Sequence, residues 1–405
     1  MMTNAYDSLG QLASVTDATG AATRYAYDAA GRVVAVTNAL GVATVYEYDA
    51  RGNKTYEGGG TYPVTYAYDA FNVVTNMTTY RAEGTMSGDA TAWNYDEATG
   101  LLVSKTYADG HGPSYTYTDG GNLATRTWAR GVVTAYEYDG WNNLTNTAYS
   151  DGTRPVSFAY DALGRQVYAK DEGGITTTAY DAAGDVASQY TTGRLYTRTL
   201  ARHRDAFGRD TGYSLNNSRK TLVEYEADTG RVGRMQNAGA WFTFHYLPGT
   251  DLKSRLQYGG SGSAYYEYEP KRDLLAQVRN HINGGVISQY DYENDAAGRR
   301  VAVSRSGSMM SETRTDYYGY NDRDELVSAT KNTEDTEYQY SYDDIGNRVS
   351  SLDLGTNRTY VANALNQYTQ IFNLCDSAVL SEDFQPQYDL DGNQTFRRSG
   401  GHNFI

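Results

Sequence analysis

The sequence has one cysteine, Cys375, and only six prolines in 405 residues. A single thiol excludes an internal disulfide framework and any cysteine-based metal site. Basic clusters are also missing: 35 Lys and Arg stand against 49 Asp and Glu, for a net charge of −14. Phosphate backbones need clustered cations, so the chain lacks the pattern of a nucleic-acid binder. Its aromatics interleave with Asp and Glu, the wrong sign for a groove that tracks single strands. No apolar run approaches the roughly 18 residues of a membrane helix. The opening MMTNAYDSLG is not a signal peptide and enters a repeat almost at once. Either the chain is cytoplasmic or it is a piece of a longer protein whose targeting lies elsewhere. The abrupt entry favours the second.

Aliphatic residues are scarce as well. Leu, Ile, Val and Phe make up about 16% of the chain, a level usually read with high charge as disorder. Tyrosine reverses that reading. Its 40 rings each bury apolar area while keeping a polar tip wet. Tyr, Thr and Val also favour strands.

One phrase recurs from end to end. RYAYDAAGR (Arg24–Arg32), VYEYDARGNK (Val45–Lys54), FAYDALGRQV (Phe158–Val167) and YSYDDIGNRV (Tyr340–Val349) share two aromatic rings one residue apart, both Tyr except for Phe158, then an aspartate, a glycine three further on, and Arg or Asn. With the second tyrosine as anchor, about 18 copies, some degenerate, follow at close to 21-residue intervals. Thr23, Tyr25 and Tyr27 alternate with Arg24 and Ala26, which predicts a strand with both rings on one face. Asp28 can accept backbone N–H bonds two residues on, and Gly31 can adopt φ > 0, so a turn follows. RVVAVT is the returning strand, and DATG or NALG supplies a second turn. One period is therefore a β-hairpin. Nothing between hairpins has helical period or length.

About 36 strands at ~4.8 Å each would run ~170 Å along the hydrogen-bonding direction, too long for an open twisted sheet. Rolled into one turn, such a sheet encloses a circle ~55 Å across, and in two turns about half of that. Three longer intervals, near residues 80–92, 304–314 and 373–386, are expected to be loop inserts.

The phrase Y-x-Y-D-x-x-G-[RN] at this spacing resembles the YD-repeat, or Rhs-repeat, family. That family includes Rhs polymorphic toxins, the C component of Tc toxins and the YD shells of teneurins. The resemblance covers nearly the whole chain. It implies an all-β fold in which tandem hairpins form a spiralling sheet, a shell around a cavity, with residues 1–405 as one repeat segment. It also implies a toxin or effector polypeptide as the enclosed partner, and a secreted or cell-surface location within a longer protein. Toxin-type members close the shell with an Asp-Pro-x-Gly-Leu segment. None of Pro63, Pro113, Pro155, Pro248, Pro270 and Pro386 follows an aspartate, so closure core and C-terminal toxin domain are expected to be absent from this chain. The competing reading is a surface adhesion module for glycan or protein ligands.

Chemistry finds little support. Repeated Tyr-Asp pairs could pair an acid with a base, but many near-identical active sites explain the pattern less well than many identical turns. Asp389–Asn393 and Tyr342–Asn347 have the alternating oxygens of calcium loops, without the terminal bidentate Glu. His111, His203, His245, His281 and His402 lack metal spacing. Gly58–Gly60 has no phosphate-loop Lys, and Gly260–Ser263 is no nucleophile elbow. The sequence thus reads as a non-enzymatic wall with no catalytic, cofactor-binding or metal residues.

Overall fold

A computed structural model describes every residue except 1, 83, 85–87, 333, 376–377, 400–401 and 405, and only the backbone of 334–337, 374–383 and 396–404. The side chains of Cys375 and His402 therefore lie outside the described residues. Thirty-nine strands follow one another, and no helix occurs among the described residues.

The first two periods set the rule. β1 (Thr3–Tyr6) pairs antiparallel with β2 (Leu12–Thr16), β2 with β3 (Ala22–Tyr27), and β3 with β4 (Val33–Thr37). In β3, Thr23, Tyr25 and Tyr27 are half-buried while Arg24 and Ala26 are exposed, the alternation that places both rings on one face.

Between β3 and β4 the chain reverses in a tight loop. The Asp28 N–H donates to the Arg32 carbonyl, and the Gly31 N–H to the Asp28 carbonyl, each at 3.0 Å. Gly31 sits at φ 81°, a region open to glycine at no steric cost. Register then slips by one residue: Ala26 faces Ala35, but Tyr27 faces Val33. This is a three-residue hairpin loop with a glycine bulge. The same slip recurs at Tyr48, Tyr68, Tyr138 and Tyr160.

Two inserts depart from simple loops. The strands Arg300–Ser306 and Arg314–Tyr320 run into the second insert and leave only a tip. The third contains a strand, Ala378–Phe384, paired with Tyr368–Cys375. Extra backbone needs hydrogen-bond partners, and lengthening the ladder supplies them. The first insert joins the strands Val74–Thr79 and Asp89–Tyr95.

The chain divides into two units. Unit 1 holds Met1–Pro113, Glu267–Val278 and Ser288–Ile405; unit 2 holds Ser114–Tyr266 and Arg279–Ile287. Within unit 1 the first and last hairpins lie edge to edge. The Tyr62 hydroxyl reaches Glu325 Oε1 at 3.3 Å across 263 residues, and Arg81 reaches Asn366 Oδ1 at 3.0 Å across 285. The edges differ in kind. Tyr62 and Arg81 follow returning strands, whereas Glu325 and Asn366 belong to Asp-type turns.

Core is sparse. Val64, Ala264, Ala302 and Val303 are the buried apolar side chains among the described residues. The accessible surface is 23945 Å². A compact protein of this mass would expose about 15,600 Å², so much of the sheet keeps both faces accessible.

Candidate functional site

The repeated phrase recurs from hairpin to hairpin along the described residues. Asp28 Oδ1 accepts from the Ala30 N–H at 2.9 Å and the Arg32 N–H at 3.0 Å. Its second oxygen receives the Arg32 guanidinium, with Nε at 2.7 Å and a terminal nitrogen at 2.6 Å. Asp161 with Arg165, and Asp205 with Arg209, repeat this arrangement. Where Asn replaces Arg, as at Asn53 and Asn143, its amide donates to the same carboxylate oxygen.

The phrase also binds its neighbours. The Tyr48 hydroxyl donates to the Val33 carbonyl of the preceding hairpin at 2.8 Å. Tyr68 reaches Lys54, Tyr138 reaches Leu123, and Tyr342 reaches Leu326 in the same way. In the forward direction, Arg32 donates to the Asp49 carbonyl of the next turn at 2.8 Å and lies 4.8 Å from the Tyr48 ring. Arg299 does likewise, to Asn321 and over Tyr320. The second tyrosine, the aspartate and the Arg or Asn of these copies are thereby engaged in a turn or in a link between hairpins.

Electrostatics point the same way. Hydrogen bonds, first from the Arg165 side chain, hold the Asp161 carboxyl below its ordinary value. Burial pushes the Tyr160 hydroxyl up. A weakened base beside a weakened acid is the reverse of what proton transfer near neutral pH requires.

The two candidate calcium loops are also turns. Asp343 accepts from Asn347 N at 2.8 Å and Nδ2 at 2.8 Å, and Asp389 accepts from Asn393 N at 2.9 Å and Nδ2 at 3.0 Å. Among the described residues, no three His, Cys, Asp or Glu side chains converge. The histidines lie apart: His281 packs edge-on against Tyr265, His245 meets Arg255, and His111 sits 3.5 Å from Asp109.

One pair escapes sequence reading. His203 Nε2 lies 2.6 Å from the buried Ser214 hydroxyl. Only the register, which sets His203 opposite Gly212 and Ala201 opposite Ser214, brings them together. It is a lone hydroxyl–imidazole contact inside a sheet. The grooves are open and of mixed lining, such as one of about 300 Å³ lined by Tyr340, Ser350 and Arg358.

Comparison with known proteins fits this picture. The RHS Repeat family matches residues 6–43 and 27–61. No curated protein matches the chain. Among solved structures, the Photorhabdus luminescens Tc holotoxin pore is similar with a TM-score of 0.71 at 15% identity, covering 98% of this chain and 25% of that one. The crystal structure of TcdB2-TccC3-Cdc42 gives 0.62 at 14% identity, covering 97% and 27%. That of TcdB2-TccC3 without its hypervariable C-terminal region gives 0.62 at 14%, covering 99% and 26%. The chain spans about a quarter of each of these three structures. At these identities the likeness is one of fold.

Proposed function

We propose that the chain, whose residues 6–61 match the RHS Repeat family, is a non-enzymatic section of wall in a toxin-enclosing cocoon. Its partner would be a toxin or effector polypeptide, enclosed by the wall or encoded after the repeats. The whole protein would act outside the cell or at its surface.

The observation that carries this reading is the engagement of the phrase. Tyr48, Asp28 and Arg32 are occupied in holding one hairpin to the next, which leaves them no substrate to act on. A sheet with so few buried side chains also has accessible faces on which another polypeptide can lie. Half-buried tyrosines give such a face both apolar area and hydrogen-bonding tips.

The test is protection. An unfolded reporter polypeptide fused after Ile405 should resist protease while the repeats are folded, and become cleavable when urea unfolds them. Cleavage at the rate of the free reporter, with the repeats intact, would refute enclosure.

A further inference from the structure

We propose that Arg126 and the aromatic rings around it bind a carboxylate of an extended polypeptide, an Asp or Glu side chain flanked by apolar residues. The inference concerns one ligand group on one sheet face and stands apart from the cocoon reading.

The site lies in unit 2, on the strands Ser114–Tyr117, Leu123–Thr127, Val133–Tyr138 and Leu144–Tyr149. Register sets Tyr115 opposite Arg126, Arg126 opposite Thr134, and Thr134 opposite Tyr149, so the four share one face. Tyr136, two residues on from Thr134, joins them. The Arg126 guanidinium lies 3.5 Å from the centre of the Trp128 ring. The Trp128 indole N–H donates to the buried Thr134 hydroxyl at 2.8 Å, which fixes that ring as a platform. Arg126, Tyr115 and Tyr149 all lie close enough to act electrostatically on the Tyr136 hydroxyl.

This patch lacks an acid. The guanidinium has no hydrogen-bond or ion-pair partner among the described residues, and its Nε is shut off from solvent. The hydroxyls of Tyr115, Tyr136 and Tyr149 have no partner there either. One cation and three free O–H donors therefore share the face.

Elsewhere the chain pairs such charges itself. Opposite Tyr46, at the place that Arg126 holds opposite Tyr115, stands Glu57. Its carboxylate takes Lys54 at 2.5 Å and the Tyr66 hydroxyl at 3.1 Å. Asp316 takes Arg305 and Arg314. A charge withdrawn from water is costly until it is paired, and a guanidinium grips a carboxylate through two parallel N–H donors. The row also sets the ligand's length. From Tyr115 to Tyr149 it crosses four strands, about 14 Å, which matches the alternate side chains of about five extended residues and exceeds a single sugar ring.

Nuclear magnetic resonance of the full chain tests this at the Trp128 indole N–H, assigned with Trp128→Phe. The probes are the capped peptide Val-Gly-Glu-Gly-Val, its Gln analogue, and glucuronate. The Glu peptide should bind saturably and about tenfold more tightly than the Gln peptide. Arg126→Gln should abolish that preference. The comparison of peptides uses the parent chain, so it decides the matter even if the variant folds poorly. Equal affinity for the two peptides, or a preference that survives Arg126→Gln, overturns the proposal. So does glucuronate binding as tight as that of the Glu peptide, which would make the site one for free acids.

Discussion

The Tyr48 hydroxyl donates to the Val33 carbonyl at 2.8 Å, 15 residues back and one hairpin away. Sheet hydrogen bonds already join those strands, so the bond is a second fastening at the bulge, where the ladder is locally broken. Tyr48→Phe keeps the ring beneath Arg32 and removes only the donor. It should cost about 1 kcal/mol locally. Native-state hydrogen exchange should show faster opening of the hairpins that hold Val33 and Tyr48, with distant hairpins unchanged, because a repeat array senses mainly its neighbours. Unchanged exchange at Val33 would show that the bond adds nothing.

Acid should weaken the protein through its turns. The Asp28 carboxyl is held below its ordinary 3.8, chiefly by the Arg32 N–H and then by the Arg32 side chain. Asp49, Asp139 and Asp161 are lowered likewise. A carboxylate favoured in the folded state contributes its stability above the unfolded value, and loses it as pH falls through the lowered folded value. The urea midpoint should therefore fall steeply below about pH 4. A smaller loss should come first from His245, which burial and Arg255 keep neutral, beginning near its ordinary 6.5. His245→Gln should remove that early step alone.

Hairpins, turns and the one-faced tyrosines were legible because each depends on neighbours in sequence. Asp28, Gly31 and Tyr27 reveal their roles by spacing alone. The linking role of Arg32 was not legible, since its second partner, the Asp49 carbonyl, lies 17 residues on and is reached only once hairpins are laid side by side. His203 and Ser214 were hidden for the same reason. The third insert was expected to be loop because its interval is long, whereas pairing of Ile371 with Phe384 makes part of it strand. Long-range register, not local propensity, decided these cases.

Glycine at the turn can be tested where nothing else interferes. Gly52 has φ 94°, and a Cβ there would meet nothing within 4 Å, so any cost is backbone strain alone. Gly52→Val should destabilise its hairpin by about 1–2 kcal/mol. Gly52→Asn should cost less, because Asn72, Asn142 and Asn366 hold the equivalent position at φ 65°, 66° and 60°. Equal losses for Val and Asn, read from urea unfolding and hydrogen exchange, would contradict the turn assignment.

Asp316 offers the sharpest test of how cooperative the array is. It is 5% exposed on a strand facing Val303, and its carboxylate takes Arg305 at 2.8 Å and Arg314 at 2.5 Å. Asp316→Ala removes the buried partner of two cations. Complete loss of a buried pair costs 3–5 kcal/mol, and both arginines here reach solvent, so about 3 kcal/mol is expected. Asp316→Asn keeps an acceptor and should cost less. If hairpins are stabilised mainly by their neighbours, exchange should rise across residues 300–320 and adjoining strands while the Tyr48 hairpin keeps its protection. A uniform rise along the chain would instead show one all-or-none unit, in which the links made by Tyr and Arg couple every hairpin to every other.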